Sequence, residues 1–275
     1  MKLRVVFFLI LSFILLSNVA RSQWPVLPNG RFLNPSDITI PYNHIDFSGE
    51  LLNFINGKLW QFSLVGGVSL FRGRHELSFE IPFVRSEYSG IENLSGIGDI
   101  AVRWKILTYE SKLRVRTLAS SALYLEVSIP TGNEFNGHGT GVPLLIPGFI
   151  LAYRPVQQIA IFPHIRYIHS IGNASFDWGG GISGGFSGDP DETAQKVRAL
   201  QTEIFFNVEF NEAWIGIAPG YSYEFNGKEG TLNIRPELGK LFAESLALKL
   251  SGSFYVAGRR RLLNWTMFSV NYFFK

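Results

Sequence analysis

The sequence predicts an all-β fold, a single-domain antiparallel transmembrane β-barrel of about 12 strands. Three observations carry this. Apolar residues make up 46% and aromatics 15%, while only 17% are charged, which is too few for an ordinary soluble domain of this length. Beyond the N-terminus no apolar run could cross a membrane as a helix, because the best one, 142–153, is broken by Pro143 and Pro147. Segment after segment instead alternates apolar and polar residues at period two. Within lipid only helices and closed barrels satisfy their backbone groups, so the barrel is the reading that remains.

The N-terminus reads as an export signal. Lys2 and Arg4 precede an apolar core from Val5 to Leu16, and Ala20 and Ser22 are the small residues a signal peptidase accepts. This places cleavage before Gln23, with 1–22 as signal peptide. No Cys stands near the junction, or anywhere in the chain, so neither lipidation nor disulfides enter the reading. The signal carries Lys2, Arg4 and Arg21 and no acid. The remainder therefore has 22 basic and 22 acidic residues and no net charge to recommend a nucleic-acid partner. Residues 23–43, with Pro25, Pro28, Pro35 and Pro41, read as a periplasmic arm or a plug for the lumen. The barrel then occupies 44–275.

The strands follow in order. Weaker patterns at 44–55 and 59–71 open the series. In 76–83, Leu77, Phe79, Ile81 and Phe83 share one face, against Glu76, Ser78 and Glu80. In 99–106, Ile100, Val102, Trp104 and Ile106 oppose Asp99, Arg103 and Lys105. The stretch 113–129 sets Leu113, Val115, Leu123, Leu125, Val127 and Ile129 against Arg114, Arg116, Tyr124, Glu126 and Ser128. Segments 143–154 and 158–170 come next, the first apolar on both faces. In 200–210, Ile204, Phe206, Val208 and Phe210 oppose Gln201, Glu203, Asn207 and Glu209. In 215–225, Ile215, Ile217, Tyr221, Tyr223 and Phe225 oppose Gly216, Gly220, Ser222 and Glu224. The pattern repeats in 232–238 and 246–256, with Asn233, Arg235, Glu237 and Lys249 inward. It ends in 263–274, where Phe268, Val270, Tyr272 and Phe274 give the aromatic terminal strand that barrel-assembly machinery reads; Lys275 trails it.

Short turns near 72–74, 109–112, 154–157, 211–212 and 243–245 alternate with longer Gly-rich loops near 87–96, 131–142 and 171–199. A barrel with both termini in the periplasm has this asymmetry. The short link at 56–58, on the outer side, is the exception.

Three stretches resemble a family of outer-membrane barrels named for the phenol meta-pathway and regarded as transporter-like. They are His75-Glu76-Leu77-Ser78-Phe79-Glu80-Ile81-Pro82, the Gly-x-Gly-Asp strand start in 96–105, and Glu126-Val127-Ser128-Ile129-Pro130-Thr131-Gly132. Their order and spacing match across 75–150. The resemblance implies an outer-membrane barrel that moves small molecules, hydrophobic or aromatic compounds among them. The residues themselves read as structural. Gly96 and Gly98 permit a tight entry into a strand, Asp99 caps that turn or points into the lumen, and Pro130 stops the ladder.

No catalytic, metal or cofactor site is expected. Gly181-Ile182-Ser183-Gly184-Gly185 has the letters of a nucleophile elbow but sits in a Gly-rich loop, without the strand-to-helix turn the elbow needs. Gly179, Gly181 and Gly184 likewise lack a βαβ context. Asp189 to Arg198 reads as a short capped helix, and its carboxylates do not follow a calcium-loop spacing. The five His are scattered. His138, in the 131–142 loop, is the one placed to serve a rim-borne hydrolase.

The residues expected to line the lumen are Glu76, Glu80, Arg103, Lys105, Arg114, Arg116, Glu126, His164, Arg166, Glu203, Glu224, Arg235 and Glu237. They could border a wet, charge-selective route or pair and close it. The leading function is passage of small molecules across the outer membrane, with loops 131–142 and 171–199 as gates. The alternative is a structural or adhesive barrel with a sealed lumen and working loops. The partners expected are outer-membrane lipid and lipopolysaccharide, the assembly machinery, and an unidentified small solute, with no nucleic acid. Arg259, Arg260 and Arg261 stand where lipopolysaccharide phosphates would be met.

Overall fold

The computed structural model describes residues 39–54, 57–88, 94–111, 118–133, 138–156, 158–173, 178–179, 185–186, 196–210, 212–243, 245–258 and 262–274. Period-two sequence becomes strand throughout. The strands are β1 (Asn43–Phe54), β2 (Gly57–Leu70), β3 (His75–Tyr88), β4 (Leu94–Ile97), β5 (Ile100–Glu110), β6 (Leu118–Ile129), β7 (Leu144–Val156) and β8 (Ile159–Ser170). Two short pieces, β9 (Trp178–Gly179) and β10 (Gly185–Phe186), pair with each other. The series continues with β11 (Arg198–Phe210), β12 (Ala213–Glu224), β13 (Glu229–Ala243), β14 (Leu246–Gly258) and β15 (Leu262–Phe274). Among the described residues no helix is long and apolar enough to cross a membrane.

Each long strand pairs antiparallel with the next, and β1 pairs with β15 from Asn43↔Phe274 to Leu52↔Trp265, so the sheet closes. β4 and β5 both pair with β3 and form one strand path, interrupted at Gly98-Asp99. Counted as one, they give a closed barrel of 12 strand positions, and closure removes every edge. The terminal aromatic strand is thus the partner of the first.

Several segments differ from expectation at their ends. The stretch 87–96, expected as loop, is strand through Tyr88 and again from Leu94. The strand expected from 113 is described from Leu118, and Arg114 and Arg116 lie outside the described residues. β13 runs longer than 232–238, because its ends carry mixed residues that pair by register and not by alternation. β7 is a full strand despite Pro147 and Pro155. Its inner face is Leu144, Ile146, Gly148, Ile150, Ala152 and Arg154, and Pro147 points outward. The expected helix of 189–198 lies outside the described residues up to its last three, and Arg198 already begins β11.

The outer face is apolar all round. Phe47, Phe62, Phe79, Phe83, Trp104, Leu123, Ile165, Phe206, Ile217 and Phe268 are each between 41% and 50% exposed. A belt of this kind on every strand suits a hydrocarbon solvent and not water.

The interior is layered. At the loop end, Leu52, Phe54, Leu59, Val84 and Trp265 form one apolar cluster, and Leu144, Ile146, Ile168, Val197 and Ala199 a second. At the turn end, Trp214, Leu241, Ala247 and Phe273 form a third, which Tyr42 packs against. Charged and amide side chains occupy the level between.

Candidate functional site

The middle of the barrel holds a cavity of about 400 Å³ that reaches toward the loop end. Glu80, Arg103, Glu126, His164, Arg166, Glu203 and Arg235, all expected in the lumen, border it. Tyr124, Gln201, Asn233, Lys249, Trp265 and Glu50 join them.

Its polar groups are already engaged with one another. Arg103 donates to Glu126 on the adjacent strand, Nε–Oε2 being 2.7 Å, and its guanidinium also lies over the Tyr124 ring. Arg235 donates to Glu203 at 2.6 Å and to Glu237 at 2.7 Å. Arg166 donates to Gln201 at 2.6 Å. Tyr124 Oη and His164 Nε2 are 2.7 Å apart, although two strand positions separate β6 from β8. Gly148 of β7 makes that reach possible. A Cβ there would stand 2.2 Å from the Tyr124 ring, so the ring lies flat where the wall has no side chain. Gly216 under Phe205 and Gly239 under Trp214 repeat the device.

Toward the turn end the next layer of described side chains does not border the cavity. There Lys105 Nζ meets Glu76 Oε2 at 2.9 Å, and Arg154 Nη1 meets both oxygens of Glu209 at 2.8 Å, all four side chains being buried. Trp214 Nε1 donates to Glu237 at 3.0 Å. Phe162 stacks on Phe205, with the Arg154 guanidinium over Phe162. Residues 39–42 lie inside this layer. Thr39 Oγ1 is 2.8 Å from Ser120 Oγ, Lys105 Nζ donates to the Ile40 carbonyl at 3.3 Å, and the Tyr42 N–H donates to Glu76 at 3.2 Å. Glu76, Lys105 and Glu237 therefore face inward but belong to the closed layer, not to the cavity wall. Glu224, at the loop end of β12, does not border the cavity either.

At the loop end one residue organises the mouth. Asp99 Oδ1 accepts from the Gly132 N–H at 3.0 Å, and Oδ2 accepts from the Thr140 N–H at 2.7 Å. The Thr140 hydroxyl sits 2.8 Å from Oδ2 and 2.8 Å from the Val142 carbonyl, and donates to one of them. Thr131 Oγ1 closes the same knot by donating to the Gly98 carbonyl at 2.8 Å and accepting from the Ile100 N–H at 3.0 Å. His138 is buried against Gly96, hydrogen-bonded to the Leu94 backbone, and its Nε2 has no partner among the described residues. Burial holds its pKa below the ordinary imidazole value, outweighing the bond to Leu94. The Gly-x-Gly-Asp and Pro-Thr-Gly motifs are thus two halves of one fastening. The described part of the 131–142 loop is pinned, where the sequence suggested a gate. The hydrolase reading of His138 finds no support, for the ring is packed into a fold of backbone. Among the described residues no three His, Cys, Asp or Glu side chains gather as metal ligands would. The Gly-rich motifs of 179–185 fall mostly outside the described residues, as do Arg259, Arg260 and Arg261.

A family model described as "Putative MetA-pathway of phenol degradation" matches residues 36–272. The chain belongs to this family. By sequence, no curated protein matches it. By structure, this member of the phenol-degradation family is similar to an outer membrane channel from Pseudomonas putida F1, at TM-score 0.63 and 14% identity, over 88% of this chain and 100% of that one. It is also similar to the NanC porin, at TM-score 0.52 and 11% identity, over 84% and 99%. The KdgM porin follows at TM-score 0.50 and 11% identity, over 84% and 99%. These likenesses establish the outer-membrane barrel fold for the family member.

Sequence reading missed Asp99 as the fastening, the Tyr124–His164 contact and the Arg154–Glu209 pair. The first left a signal, the glycines around two short motifs. The other two depend on register across an intervening strand, which composition does not show.

Proposed function

We propose that this barrel takes up small molecules at the loop end of an outer-membrane channel and delivers them toward the periplasm. The observation that carries this is the layered interior. Two apolar clusters flank the loop end, a cavity of about 400 Å³ lies below them, and a closed layer follows. A solute with an apolar body and one or two polar groups suits such a route. The apolar clusters receive the body, while Tyr124, His164, Gln201 and Asn233 offer hydrogen bonds. The family's link to phenol degradation supports aromatic compounds as the class. The closed layer argues against a wide, permanently open pore.

The chain would reach the outer membrane by way of the 1–22 export signal, inserted by the assembly machinery through its aromatic last strand. Lipid and lipopolysaccharide would then surround the apolar belt.

The test is single-channel recording on refolded protein in a planar bilayer, alongside binding of a small aromatic alcohol followed by tryptophan fluorescence. Trp265 borders the cavity and reports its occupancy. Low, intermittent conductance with saturable quenching is expected, the quenching being lost in Trp265→Phe. Large steady currents with no quenching would replace this reading with a general diffusion pore. Neither current nor quenching, from folded barrel, would refute passage.

A further inference from the structure

The Asp99 fastening occupies the place where a solute must enter. β4, β5, β6 and the 131–142 loop stand between the strands of the two apolar clusters in the barrel order. Asp99, His138, Gly139 and Thr140 all border the cavity. Residues 138–140 are therefore part of the cavity wall. Its close fit is built into the sequence: a Cβ at Gly132 would stand 2.4 Å from the His138 carbonyl oxygen, and one at Gly139 2.3 Å from Asp99 Oδ1. Two backbone N–H groups and a hydroxyl converge on one carboxylate, and bonds to an ionised acceptor are the strong kind. Nothing else among the described contacts of residues 138–140 is charge-assisted. Removing Asp99 would leave both N–H groups without an acceptor in a buried setting, and swinging the loop out to water is the simplest relief.

We propose that Asp99 is a specificity-determining, positioning residue: it holds residues 138–140 in the mouth against Gly132, so that they set the size of solute the cavity admits. This rests on the passage reading. Both Asp99 oxygens are taken up by Gly132 and Thr140, so it acts through the rim residues His138 and Thr140. Passage of small solutes then requires no loop movement, and larger ones are refused at the rim before they reach the arginines below.

The chain has no Cys, so single thiols report cleanly. His138→Cys places one in the loop, and Gln61→Cys places one on the cavity wall of β2, away from the loop. Each is treated with a small neutral maleimide and with a bulky one, on refolded barrel in micelles, with folding checked by the gel shift on heating. In Asp99→Ala the loop thiol is expected to react about tenfold faster or more, the scale of one lost bond to a charged group. The cavity thiol should gain in rate toward the bulky reagent and change little toward the small one. Thr140→Val, which removes only the hydroxyl, should move both readouts in the same direction but less, and Thr140→Ser should restore them.

Loop labelling unchanged in Asp99→Ala would overturn the fastening. Loop labelling raised, with the cavity thiol no more open to the bulky reagent, would overturn the aperture while leaving the fastening. If Asp99→Ala fails to give the gel shift, Thr140→Val against Thr140→Ser decides by the same two readouts. Since labelling needs no transport, a barrel that passes nothing would defeat the passage reading and leave these measurements standing.

Discussion

Lys105→Met would test whether the turn end is held shut by one ion pair. Lys105 and Glu76 are 2.9 Å apart, with side chains 6% and 5% exposed. Lys105 also donates to the Ile40 carbonyl and lies over the Tyr42 ring, while Glu76 accepts from the Tyr42 N–H. Removing the cation leaves a carboxylate buried without its counter-charge, which costs about 3–5 kcal/mol. The barrel can meet that cost in two ways. It can lose stability as a whole, or it can release residues 39–42 and let water reach Glu76. The second is local, although it also lifts the Tyr42 ring off Phe273 and His44. At about 1.4 kcal/mol per tenfold, the open fraction should rise by roughly two to four orders of magnitude. The assay is open probability in a planar bilayer, paired with the midpoint of the heat-induced gel shift. Frequent openings with a nearly unchanged midpoint are expected. The double variant Glu76→Gln, Lys105→Met, which removes both charges, should return most of the closure, since a buried pair replaced together is often neutral. Unchanged open probability and unchanged midpoint in Lys105→Met would refute the reasoning. So would a double variant as open as the single.

Other consequences follow from single residues. Gly148→Ala forces Tyr124 off the wall and away from His164, an overpacking that should cost about 1–3 kcal/mol by urea titration and shrink the cavity, weakening solute binding. Tyr124→Phe keeps the ring and loses the hydroxyl's bonds to His164 and Arg166, so its cost should be about 1–3 kcal/mol. Arg154→Ala leaves Glu209 buried beside Asn207 and should lower the unfolding midpoint more than any substitution on the outer belt; a smaller effect than Phe206→Ala would contradict the buried-pair argument. The His138 loop should also respond to pH. Its imidazole is held below the ordinary value near 6.5 when folded in, so the released loop binds the proton more readily. Closure is then complete above about 6.5 and weakens as pH falls through that range. Maleimide reactivity of Asn133→Cys, divided at each pH by that of a free thiol, measures this, and His138→Gln should flatten the normalised profile.

Much of the fold was legible because a barrel in lipid repeats one simple rule. Leu77, Phe79, Ile81 and Phe83 had to share a face, and Glu76 and Glu80 the other, whatever the neighbours were. Eleven of the 12 strand positions follow from that rule, and β7, where both faces are apolar, from the need of its neighbours for a partner. What the alternation does not carry is depth. Glu76 and Glu80 lie four residues apart on one face, yet the first closes the turn end and the second borders the cavity. The difference comes from residues 39–42, whose path no periodicity announces. The 94–97 strand was hidden for a related reason: Gly96 and Gly98 read as a tight entry into the next strand, but they are small because His138 and Pro82 press on them.

The interior charges show why a charged lumen and an apolar solute are compatible. The described ion pairs run around the wall. Arg103 and Glu126 sit on adjacent strands, as do Lys105 and Glu76. Arg235 and Glu203 are on β13 and β11, and the β12 residues between them are Ala218 and Gly220. Arg154 and Glu209 bridge β7 and β11 across Ala160 of β8. A small residue on the intervening strand lets each long pair lie flat. Neutralised in this way, the charges need not be stripped of water by an arriving solute, since their partners already replace much of that hydration. Pairs across the lumen would do the reverse and obstruct the axis. Exchanging Ala218 for Leu should therefore be worse than its volume suggests. It would lift Arg235 off the wall, separate it from Glu203, and turn a lining charge into an obstacle, so solute binding should fall together with stability. If binding survived while stability fell, the flat pairing would be a matter of packing alone.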